Sequence, residues 1–108
     1  MNESEQRSYD VAMSVEALAS AWARTEGARA GSVVVAETEV SGRLRGGVPW
    51  KLGGVGALSM AIVVRPNIAP MQEALLWTAA TLATAEALTA ATGTEYGVVW
   101  PDRIAASA

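Results

Sequence analysis

Six of the ten glycines in this chain fall between Ser41 and Gly56, with Pro49 among them. Glycine adds an entropy cost inside a helix or strand, and proline removes a backbone donor. The stretch therefore reads as a long loop or loose hairpin. Loops of that length in compact domains are usually functional or disordered, so the rest of the chain must be read around this one. Before it, Ser32–Val40 opens with Val33, Val34 and Val35 and then alternates, with Glu37 and Glu39 on one face, as in a strand entering a core. After it, Ala57–Arg65 is a second apolar strand, ended by Pro66.

Helical spacing flanks these strands. Ser14 can cap a helix, and Val15, Leu18, Ala19 and Trp22 recur at three- and four-residue intervals before Gly27 stops it. Pro70 suits a first helical turn and opens a helix to about Thr92. There Leu75, Leu82 and Leu88, with intervening alanines, suit packing on a sheet, and Gly93 closes it. Tyr96–Trp100 is a third short strand, stopped by Pro101. Residues 1–10 carry too little apolar content to fold and are expected to form a mobile tail, leaving 11–108 as one domain. The expected class is α+β, a short mixed or antiparallel sheet of about three strands packed with two helices.

Composition narrows the chemistry. With neither cysteine nor histidine, the chain has no thiolate or imidazole metal ligand, no cysteine nucleophile and no Ser-His pair. The eight Lys and Arg are scattered in a chain of net charge −3, which argues against a nucleic-acid surface. The longest apolar stretch, Ala74–Ala85, falls short of the ~20 residues that cross a bilayer, so no membrane partner is expected. The polar, acidic N-terminus has no basic targeting character, and the cytoplasm is the default location. Glu37 and Glu39 could act as a carboxylate pair, although with no histidine nearby a solvated face or a salt bridge to Arg43 or Arg45 is the simpler reading. Trp22 and Trp77, on the two helices, read as core or interface.

Two segments carry a resemblance. The stretch Ala36–Trp50, with Gly42-Arg43-Leu44-Arg45-Gly46-Gly47 following the strand and Trp50 closing it, resembles the ligand loop of biotin protein ligases, where a strand runs into a Gly-Arg-Gly-Arg segment and then a tryptophan. Val98-Val99-Trp100-Pro101-Asp102-Arg103-Ile104 resembles the Lys-Trp-Pro-Asn-Asp-Ile segment of the same biotin/lipoate protein ligase family. Both follow in the family's order. The resemblance implies a ligand set of Glu39, Gly42, Arg43, Arg45, Gly46, Trp50, Trp100 and Asp102. The arginines would neutralise a carboxylate or phosphate with forked donors, and the tryptophans would supply apolar walls. It implies biotin or lipoate as ligand, with ATP and Mg²⁺ if the chain is active.

The departures matter as much. Val99 stands where the family has lysine, Leu44 where a glycine separates the arginines, and Glu39 where glutamine is usual. Asp102-Arg103 stands where the family has Asn-Asp, or else Asp102 aligns with the family's Asp after loss of the Asn, and both registers stay open. Ser14 is followed by Val15 and Glu16, so the family's Ser-Thr-Asn segment is not kept and Ser14 reads as a plain cap. The family places an essential lysine and further strands after the Trp-Pro segment. Here the sequence ends at Ala108 and its one lysine is Lys51. A missing cation at the adenylation centre removes about 3–4 kcal/mol of transition-state stabilisation. The expectation is therefore a truncated, catalytically impaired ligase-like domain that binds a small acyl ligand or a partner. An active minimal ligase and an accessory subunit of a larger enzyme stand as the alternatives. A short open sheet edge further implies a homo-oligomer or a partner protein covering it.

Overall fold

The computed structural model describes residues 5–43, 49–50, 57–100 and 103–106 and divides the chain into two compact units, Met1–Pro66 and Asn67–Ala108. The first unit holds β1 (Gln6–Ala12), α1 (Val15–Thr25), β2 (Val33–Glu39), β3 (Gly42–Arg43), β4 (Pro49–Trp50) and β5 (Ser59–Ile62). Its main sheet has the order β1-β2-β5. β1 runs parallel to β2 from Gln6↔Val33 to Ala12↔Glu39, and β5 runs antiparallel to β2 from Val33↔Ile62 to Ala36↔Ser59. The sheet is mixed and α1 is the crossover that a parallel pair requires.

β1 corrects the tail expected over residues 1–10. Five of its seven side chains are exposed and only Ala12 is buried, so the segment carries no apolar pattern. Its order comes from main-chain pairing to β2, which composition does not encode.

α1 forms where its spacing predicts. Ser14 Oγ accepts from the Ala17 N–H at 3.2 Å, with Glu16 in the first turn and Arg24 in the last, each matching the sign of the helix dipole. Gly27, at φ +68°, turns the chain away after the last turn. The buried face of α1, Val15, Ala19 and Trp22, meets Ala12, Val34, Ala36 and Val63 to form the core of this unit. Arg65 ties the end of α1 down, donating to Ala23 O at 3.1 Å and to Ala28 O at 2.6 Å. Replacing Arg65 with Met keeps the stem and removes these bonds. A loss of about 1 kcal/mol in urea unfolding is expected, because the site is partly solvated.

Arg7 lies over the Trp22 ring, 3.9 Å from its centroid, and pairs with Glu26 at 3.2 Å. The Arg7 hydrogen bond, reinforced by its charge, holds the Glu26 carboxyl below its ordinary range. A depressed carboxyl stabilises the fold above its unfolded pKa and loses that contribution as pH falls through its folded value. The coupling in an Arg7→Met/Glu26→Gln double-mutant cycle should therefore be measurable at pH 7 and fade as pH drops below the ordinary carboxylate range.

The second unit holds a 3-10 turn at Pro70–Gln72, α2 (Ala74–Thr92), β6 (Tyr96–Val99) and β7 (Arg103–Ala106). β6 and β7 form an antiparallel hairpin, from Tyr96↔Ala106 to Val99↔Arg103. The expected third strand is thus present, but it pairs with β7 and the third strand of the main sheet is β1. The residues after Pro101, expected to trail off, supply β7. Four residues with mostly small side chains give a pattern too short to read as a strand.

Gly93, at φ +76°, closes α2. The helix is mostly alanine, leucine and threonine, with Glu86 its one charged residue, and Thr81, Thr84, Thr89 and Thr92 each donate their hydroxyl to the carbonyl four residues back. It was expected to be buried, yet within its unit only Thr81 and Ala85 are. It ends at Thr92 as expected but begins at Ala74, after the 3-10 turn, rather than at Pro70. At 19 residues, by length and composition alone, it would suffice to cross a membrane, a test that core helices of soluble proteins pass too.

Candidate functional site

The root of the glycine-rich segment is the best-built polar site among the described residues. Glu39 ends β2, and its side chain turns inward although Glu37, two residues earlier, is exposed. One carboxylate oxygen accepts from the Val15 N–H at 2.7 Å and the other from Ser59 Oγ at 3.1 Å. A carboxylate at the first turn of α1 satisfies an orphan donor and opposes the positive end of the helix dipole. Glu39 and Ser59 are both buried, so the simple reading of Glu37 and Glu39 as one solvated face does not hold at Glu39.

From there the backbone continues the pairing outward. Val40 N–H donates to Ala12 O at 2.9 Å and Ser41 N–H to Met13 O at 2.7 Å. Gly42, buried, then opens β3, which pairs with β4 as Gly42↔Trp50 and Arg43↔Pro49. Main-chain bonds therefore bring residue 50 back beside residue 42. The site lies at the carboxyl ends of the parallel strands β1 and β2 and at the N-terminus of their crossover helix, where open sheets with helices commonly bind ligands. Next to the root residues in sequence, Met13, Val40 and Leu58 are exposed apolar side chains.

Of the residues singled out from the sequence, Glu39, Gly42, Arg43 and Trp50 belong to this first unit. For Arg43 and Trp50 only the backbone is described, while Arg45, Gly46 and Asp102 lie outside the described residues. Trp100, in the second unit, follows β6 and is 74% exposed, beside the half-exposed Val99. Sequence reasoning missed Ser59 and the Val15 amide. The one available signal was a serine inside the apolar run Ala57–Arg65, a polar side chain that needs a partner once buried. The second unit also has an open groove of about 380 Å³ between α2 and β6, lined by Leu82, Ala85, Glu86, Glu95, Tyr96 and Val98 among others. Thr89 holds its two sides together by accepting from the Tyr96 N–H at 3.0 Å.

No family signature matches the sequence, and no curated protein matches it. Among solved structures, the chain is similar to the biotin acetyl coenzyme A carboxylase synthetase of Helicobacter pylori, a structure with bound biotinylated ATP, at 18% identity and a TM-score of 0.69. The match covers 95% of this chain and 49% of that one, so the chain spans about half the length of that synthetase. The likeness establishes a distant biotin protein ligase-like fold, in keeping with the α+β class expected from the sequence.

Proposed function

We propose that this chain is a biotin/lipoate protein ligase-like domain that binds a small acyl or biotin-type ligand through the segment Gly42–Trp50, with its adenylation chemistry impaired. The observation that supports this most is the placement of that segment. In a ligase-like fold, it springs from the carboxyl ends of β1 and β2 and returns on itself at Gly42↔Trp50. In this reading Arg43 and Arg45 hold the carboxylate of the ligand with forked donors, Gly42 and Gly46 allow the backbone to close, and Trp50 provides an apolar wall.

Impairment rests on Val99, the position of the family's lysine. An aliphatic side chain supplies no cation where the resemblance implies one. Calorimetric titration with biotin, lipoate and ATP, followed by a pyrophosphate-release assay, is expected to give acyl-ligand binding without pyrophosphate. Stoichiometric pyrophosphate release would overturn the impairment, and absence of binding to every ligand would overturn the binding reading.

Self-association is part of the same proposal. Among the described residues, no strand pairs with the outer edge of β1 or of β5, and exposed edges are normally covered. Light scattering on a size-exclusion column should give twice the chain mass. A monodisperse monomer would argue against a second copy as the cover.

A further inference from the structure

We propose that Glu39 is a positioning residue, a clasp that holds together the two roots of the glycine-rich segment. Residue 39 is the last of β2 and Ser59 the first of β5, so their hydrogen bond at 3.1 Å closes the base of everything between them in sequence. The other carboxylate oxygen, 2.7 Å from the Val15 nitrogen, fixes both roots to the first turn of α1. Three elements 20 and 24 residues apart in sequence thus meet at one carboxylate.

The chemistry of the junction explains why a buried acid is held there. Val15 is buried, so losing the carboxylate would strand its amide donor, and Ser59 would lose an acceptor for its hydroxyl. Short-range order then passes outward along the main chain. Glu39 is followed by Val40 and Ser41, which bond to Ala12 and Met13, and by Gly42, where the β3-β4 ladder starts. A free Glu39 side chain would leave that ladder tethered by backbone bonds alone. Glu39 therefore acts on a ligand through the segment it anchors, a role that rests on the binding reading above only where ligand affinity is concerned.

Backbone ¹⁵N order parameters of the full chain test the clasp without any ligand, because they report the folded state and not its stability. In Glu39→Ala, values at Ser41, Gly42 and Arg43 should fall from about 0.85 toward about 0.6, with Val34 and Ala36 unchanged. Glu39→Gln should restore them, since its amide oxygen can accept from Val15 and its NH₂ can donate to Ser59. If Glu39→Ala does not fold, Ser59→Ala removes only the bond across the roots and should show the same local loss. Unchanged order at Ser41–Arg43 in a folded variant, or equal loss in the core strands, overturns the proposal.

Biotin titration supplies the functional arm. Affinity should drop about tenfold or more in Glu39→Ala and stay within about threefold of the parent in Glu39→Gln. Equal loss in both would mean that the charge itself contacts the ligand, which overturns the positioning role. A parent chain that binds no biotin counts against the binding reading, while the order parameters still decide the clasp.

Discussion

Trp22→Ala should lower the unfolding free energy by about 3–5 kcal/mol in urea titration, the largest effect of any single truncation in the first unit. The indole is 5% exposed and is the largest side chain in a core otherwise built of alanines and valines. Its neighbours are short and sit on a pleated sheet, so they cannot reach into the space it would vacate, and the cavity term stays close to its full size. The substitution also removes the ring beneath the Arg7 guanidinium. Against a total of about 5–15 kcal/mol for an ordinary domain, a loss of this size would leave a large unfolded fraction. A change under 1 kcal/mol would show that α1 does not seat on the sheet through Trp22.

Glu39→Ala is expected to cost about 2–3 kcal/mol at neutral pH, read from the same unfolding curves. A hydrogen bond to a charged group contributes about 1.5–3 kcal/mol, and the Val15 amide would be left buried without this acceptor. The helix-terminus interaction adds to this at a buried site. Glu39→Gln should recover more than half of the loss. Ser59→Ala should cost about 1 kcal/mol, since it deletes one bond and leaves the carboxylate on Val15. Glu39→Ala with stability within 0.5 kcal/mol of the parent would place the carboxylate in solvent rather than at the helix start.

These two residues show how differently the sequence speaks. Trp22 was legible: four apolar positions at helical spacing after a capping serine define one face, and a tryptophan on that face belongs in a core. Glu39 was legible as a residue of interest but not in its role. Alternation along Ser32–Val40 put it on the face of Glu37, whereas the structure buries it against partners far along the chain. Strand periodicity states which side chains share a face, and it carries no information about a helix start that meets the end of the strand.

The N-terminal strand and the hairpin were lost for a related reason. β1 is held by the main chain with its side chains mostly in solvent, and β7 is four residues long, so neither displays the apolar period by which a strand is recognised.

The sequence by itself determined α1 with its Ser14 cap, the body of α2 with its Gly93 stop, and the strands on either side of the glycine-rich segment, because local propensity and spacing encode each of these; the likeness to a biotin ligase came from the resemblance of two motifs. Only the tertiary structure decided that β1 completes the main sheet, that Tyr96–Val99 pairs with Arg103–Ala106, and that Glu39 meets Val15 and Ser59. Those are pairings between distant residues, fixed by backbone hydrogen bonding and by the need of buried polar groups for partners, and neither force leaves a periodic trace along the chain.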